Sequence, residues 1–116
     1  MSNVKIFHNP RCSKSRQTLE LIRSRGIEPE IVLYLEVRLT TQDIGNILKR
    51  LKIKPSHIIR KNEEDFKEHF GDLNKLNDDQ IISLICQHPR VLERPIVLNN
   101  GMAAIGRPPE NIINIL

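Results

Sequence analysis

Three segments at the start of the chain follow one another with little linker: Val4-Lys5-Ile6-Phe7, a helical stretch from Ser13 to Arg25, and Glu30-Ile31-Val32-Leu33-Tyr34-Leu35. The first is apolar at alternate positions and runs into Asn-Pro, as a strand entering a turn does. Leu19 and Ile22 mark the apolar side of the helix, and Gly26 stands where helices commonly stop. A strand, about a dozen helical residues and a second strand make one βαβ unit, so the two strands are expected to run parallel.

The chain then changes character. From Thr40 to Pro89 the patterns are helical: Ile44, Ile47, Leu48 and Leu51 share a face behind a Thr40/Asp43 N-cap signal. A short helix is expected over Glu63–His69, and another over Asp78–Gln87, capped by Asn77 and ended before Pro89. Sheet signals return at Pro95-Ile96-Val97-Leu98 and Met102-Ala103-Ala104-Ile105, and the Asn-Gly between them predicts an antiparallel hairpin. A last short helix is expected over Glu110–Ile115. This order predicts an α/β, thioredoxin-like three-layer fold with a mixed sheet, as a single domain over 1–116 with a helical insertion at about 40–90.

Composition narrows the function classes. With 116 residues, 3% aromatics and no Trp, the core must be built from Ile and Leu. A formal charge of +4 favours anionic partners. The basic residues are scattered, however, and few aromatics could stack on bases, so nucleic acid is not expected. Two cysteines are too few for a disulfide framework, no signal-peptide layout is present, and no apolar run approaches a membrane span. A cytoplasmic protein with no membrane partner is expected. His57, His69 and His88 have no spacing that suggests ligands, so no metal is expected either.

Cys12 lies in His8-Asn9-Pro10-Arg11-Cys12-Ser13-Lys14-Ser15-Arg16, at the predicted N-terminus of the first helix. Unpaired N–H groups there carry about half a positive charge in aggregate, and Arg11, Lys14 and Arg16 add full charges, conditions that turn a thiol into a thiolate. His8 is either a positive neighbour of that thiolate or a polar residue at a strand end. Position 15 is Ser, which excludes a Cys-x-x-Cys dithiol, and position 18 is Thr, which excludes the loop of the low-molecular-weight phosphatases. Cys86, in an apolar helical run, reads as a structural thiol with a resolving role as its competitor. Arg94 and Arg107 flank opposite ends of the hairpin and could converge on one side of the sheet, where guanidinium suits bidentate capture of an oxyanion. Arg60 precedes a helix, and Pro95 is a candidate cis-proline.

His-Asn-Pro-x-Cys, isolated Arg60, Glu93-Arg94-Pro95 and Gly106-Arg107-Pro108 together resemble the glutaredoxin-coupled arsenate reductase family, over essentially the whole chain. The Ser-Lys-Ser-Arg after Cys12 replaces the Gly-Thr-Ser-Arg of the arsenate-resistance members, and the chain is more similar to the short members. The resemblance implies Cys12 as nucleophile, His8 helping to keep it ionised, and arsenate held by Arg60, Arg94, Arg107 and the N–H groups of Ser13, Lys14 and Ser15. It implies glutathione as co-substrate, glutaredoxin as partner and no bound cofactor. The alternatives are a glutathione-dependent thiol oxidoreductase on another substrate and an RNA-polymerase-binding regulator of the same fold.

Overall fold

The structure, a computed structural model, describes residues 3–116. Two compact units can be told apart: one holds the residues up to Val37 together with Arg94–Leu116, the other is Arg38–Glu93.

The first unit is built on a four-stranded mixed sheet. Strands β1 (Lys5–Phe7), β2 (Glu30–Val32), β3 (Ile96–Asn99) and β4 (Met102–Ile105) lie in the order β2-β1-β3-β4. The expected parallel pair is present, with Ile6 opposite Ile31, and β3 runs antiparallel to both β1 and β4. The hairpin turns on Asn100 and Gly101, both at positive φ (50° and 81°), the backbone that an Asn-Gly pair accepts most readily.

Helix α1 (Ser13–Ser24) crosses between β1 and β2, and Gly26 takes the positive φ that closes it. Leu19 and Ile22 of α1 pack with Val4, Ile6 and Val97 from the sheet and with Ile112 and Ile115 from the C-terminal segment. That segment, Pro109–Ile115, is a 3-10 helix, where the sequence suggested only a short helix over Glu110–Ile115.

β2 is shorter than predicted. It ends at Val32, and Leu33–Leu35 fold into a turn in which the Leu33 carbonyl accepts from Glu36 and Val37. The reason lies in its partner: after His8 donates to the Val32 carbonyl, β1 runs into Asn9-Pro10 and offers no further ladder.

The second unit is the helical insertion. Its helices α2 (Thr41–Leu51), α3 (Glu64–His69) and α4 (Asp78–Gln87) match the predicted spans closely. α2 and α4 each start with a complete capping box, Thr40 with Asp43 and Asn77 with Gln80. Their apolar faces, Ile44, Ile47 and Leu48 on one and Ile81 and Ile85 on the other, are buried. Three short 3-10 turns, not foreseen from sequence, follow the helices, two of them between one helix and the next and the third after α4. No helix among the described residues is long and apolar enough to cross a membrane.

Candidate functional site

Cys12 is the N-cap residue of α1, and the loop before it is tied to itself. Its N–H donates to the Asn9 carbonyl at 3.0 Å, the Asn9 side chain accepts from the Arg11 N–H at 3.0 Å, and Arg16 donates from Nη1 to the Pro10 carbonyl at 2.8 Å. Asn9 therefore braces the loop from both its main chain and its side chain. The thiol so placed is half-buried.

From the other side, the two ends of the β3–β4 hairpin deliver Arg94 and Arg107. Arg107 donates from Nε to the Arg94 carbonyl at 2.7 Å, and its Nη2 lies 3.4 Å from the Cys12 sulfur. The Asn111 side chain donates to the Arg107 carbonyl at 2.9 Å and steadies that backbone. The peptide bonds before Pro95 and Pro108 are both cis; only the first was a candidate from sequence.

Burial by itself pushes the Cys12 thiol up, but other groups outweigh it. The Ser15 backbone N–H, a hydrogen bond from Arg94 and the charges of Arg107 and Arg94 hold the thiol below its ordinary range. No strict side-chain capping bond forms, so the helix terminus acts here as an oriented dipole. Two guanidiniums and a helix N-terminus face a single thiolate, and the net local charge stays positive. Such an arrangement has the chemistry to serve as a nucleophile and to receive an anion.

Of the residues singled out from sequence, the structure brings Cys12, Ser15, Arg94 and Arg107 together. Ser13 and Lys14 lie in the first turn of α1 with exposed side chains. The Ser15 side chain turns inward, fully buried, to within 2.6 Å of His8 Nδ1. Burial, followed by the charges of Arg23 and Arg16, pushes His8 below the ordinary histidine range, which works against the reading of it as a positive neighbour. Arg60 belongs to the second unit, where Glu63 and Glu93 approach its guanidinium at 3.7 and 3.9 Å. Cys86 is half-buried rather than fully buried; burial and then Asp43 raise its thiol, with Arg38 opposing.

One contact that sequence reading missed positions Arg107. At Gly106 an added Cβ would lie 2.5 Å from Thr18 Oγ1 and 2.7 Å from Pro95 Cγ, so only glycine lets the end of β4 pass between α1 and Pro95. Away from the thiol, Asp65, Glu68 and His69 of α3 bring one ligand atom each within 4.8 Å of one another, a grouping the histidine spacing did not suggest. His69 also stacks on His88 at 4.0 Å.

Residues 7–115 match the model of the ArsC family. An arsenate reductase of Neisseria meningitidis serogroup A is 43% identical, each chain being covered over 100% of its length. A protein of Escherichia coli K12 named uncharacterized protein YfgD is also 43% identical, over 97% of this chain and 96% of its own. Among solved structures, an arsenate reductase from Vibrio cholerae superposes with a TM-score of 0.93 at 41% identity, covering 97% of both chains. The fold is thus the thioredoxin-like α/β fold of those proteins.

Proposed function

The chain belongs to the ArsC family, and we propose that it reduces arsenate to arsenite with electrons from glutathione and glutaredoxin. The observation that carries this reading is the meeting of a lowered thiol with two guanidiniums, Arg107 at 3.4 Å and Arg94 in hydrogen-bond contact. The names of the relatives in Neisseria and Vibrio support the choice of oxyanion.

The Cys12 thiolate attacks arsenic(V) and displaces one oxygen as water, forming a sulfur–arsenic bond. A glutathione thiolate displaces a second oxygen in the same way. A glutaredoxin thiolate then attacks the glutathione sulfur; the bond between that sulfur and arsenic breaks, and its electron pair stays on arsenic. Arsenic is reduced by two electrons, the two thiols leave as a mixed disulfide, and water releases arsenite from Cys12. Arg94, Arg107 and the first-turn N–H groups of α1, those of Ser13, Lys14 and Ser15, hold the negative oxygens, the kind of preorganised donors that contribute roughly 2.7 to 4 kcal/mol each in such sites. A share for Arg60 rests on the resemblance alone. The scheme uses no metal, flavin or nucleotide, and its need for reduced thiols supports the expected cytoplasmic location.

The test is arsenite formation by purified protein with arsenate, glutathione and glutaredoxin, followed by product speciation. Turnover that requires all three, and disappears in Cys12→Ser, is expected. Absence of arsenite, with turnover of glutathionylated substrates in its place, would overturn the assignment in favour of a general thiol oxidoreductase.

A further inference from the structure

Arg16 and Arg23 stand four residues before Glu20 and three after it, the spacings at which helix neighbours pair. Neither pairs with it. Arg16 turns back to the Pro10 carbonyl at 2.8 Å, and Arg23 takes Glu28 at 3.1 Å through Nε and Nη2. Among the described residues the Glu20 carboxylate is left without an ion pair. It lines a groove of about 540 Å³, a size that takes a tripeptide. Pro10 and Ser13 stand on either side of Cys12 in the chain and both line this groove, so one end of it opens beside the thiol.

We propose that this groove is the subsite for glutathione, the second thiol of the reaction, and that it reads the free amino-acid end of the γ-glutamyl arm. The inference rests on the reading of glutathione as co-substrate. The γ-linkage leaves the α-ammonium and the α-carboxylate on one carbon, so the arm ends in two opposite charges side by side. Glu20 takes the ammonium. Arg16 spends one N–H on Pro10 and keeps others for the carboxylate. At i and i+4 the two side chains start about 5 to 6 Å apart on one face, so a single zwitterion bridges them.

The reach is consistent with attack at Cys12. Glu20 is eight residues beyond Cys12, about 12 Å along the helix axis. Helical side chains lean toward the N-terminus, which shortens that gap. A γ-glutamylcysteine unit extends over about 7 Å or more, so a sulfur at Cys12 and an ammonium at Glu20 can belong to one molecule. The glycine end takes no part in this grip.

The test is thiol exchange at Cys12 in the full chain, on a Cys86→Ala background, and it needs no arsenate. Cys12 is capped with thionitrobenzoate as a mixed disulfide. An incoming thiolate attacks the Cys12 sulfur and forms the new disulfide, and the coloured thionitrobenzoate leaves with the electron pair of the broken bond. Dividing each rate by the same thiol's rate with free dithiobis-nitrobenzoate removes differences in intrinsic reactivity. Glutathione and γ-glutamylcysteine should then exceed cysteinylglycine and mercaptoethanol by about threefold or more, the effect of an exposed charge pair. Glu20→Gln should lower the glutathione-to-mercaptoethanol ratio by a similar factor. The net field alone predicts the opposite sign, because removing an acid makes the groove more positive and glutathione is an anion. A ratio that is unchanged or rises in Glu20→Gln, or cysteinylglycine matching γ-glutamylcysteine in the parent, overturns the subsite. Arsenite formation with glutathione but no such preference also strikes the subsite alone. The preference without arsenite formation supports the groove as a γ-glutamyl-thiol site and strikes the proposed activity instead.

Discussion

Replacing Gly106 by alanine adds a single methyl group, and the structure states what it meets. The new carbon would sit 2.5 Å from Thr18 Oγ1, 2.7 Å from Pro95 Cγ and 3.0 Å from Thr18 Cγ2. Carbon contacts settle at about 3.5 to 4.0 Å, so the shortfall is close to 1 Å on two sides at once. Neither neighbour yields easily: Thr18 is fully buried and donates to the Lys14 carbonyl, while the Pro95 carbonyl accepts from the Gly106 N–H. Overpacking of this kind costs about 1 to 3 kcal/mol, or roughly 4 to 12 °C in Tm for a chain of this size. The functional effect should exceed the stability effect, because Arg107 is the next residue and its guanidinium moves with the backbone. A displacement near 1 Å at a positioned group can cost about a hundredfold in rate. Thermal unfolding, arsenate turnover and the pH midpoint of Cys12 alkylation should be measured on Gly106→Ala and on Gly106→Ala combined with Thr18→Ala. The double variant removes two of the three clashes, so it should recover stability and lower the alkylation midpoint again. A single variant as stable and as active as the parent would refute the steric argument outright.

Arg94→Lys and Arg107→Lys keep the charge but lose the forked donors, so each should cut turnover by about tenfold or more and weaken the protection of Cys12 from alkylation by arsenate or sulfate. Unchanged kinetics would remove these side chains from the anion site. Because the folded-state Cys12 thiol lies below its unfolded value, the thiolate stabilises the fold above the unfolded pKa, and that contribution is lost as pH falls through the folded one. Urea titrations of parent and Cys12→Ser should therefore diverge toward alkaline pH; a constant difference contradicts the depressed thiol. Cys86, whose thiol is raised by burial, should alkylate more slowly than Cys12, and Cys86→Ala should keep most of the turnover. A Cys12–Cys86 disulfide trapped during reaction would make it the resolving thiol. Thr40→Ala and Asn77→Ala each break a capping box and should cost about 1 kcal/mol in denaturant unfolding, with no loss expected from the exposed Gln42→Ala as a control.

Where a local rule governs, the sequence was readable. The N-caps of α2 and α4, the Gly26 stop of α1 and the Asn-Gly hairpin each depend on a few neighbouring residues, and each was found where the pattern put it. The convergence of Arg94 and Arg107 was legible because a hairpin returns its two ends to one place. Features decided by partners far along the chain were not. The early end of β2 depends on β1 turning away at Asn9-Pro10, and nothing within Leu33-Tyr34-Leu35 announces it. The His8–Ser15 pair joins residues seven apart through a loop whose path had first to be known. For Gly106 the one available signal, its place directly before Arg107, says nothing of Thr18 across the gap.

The contact between Arg107 and the Cys12 sulfur spans 95 residues of sequence. In a chain made from its N-terminus, Cys12 is made before the two guanidiniums that the fold sets beside its sulfur. Until β3 and β4 close on β1, the thiol has neither cation beside it and reacts no faster than its helix terminus allows. The part of the thiol's activation that Arg94 and Arg107 supply is thus expected only once the β3–β4 hairpin is in place. Cys12 alkylation, read over time during refolding, reports the closing of that last hairpin directly.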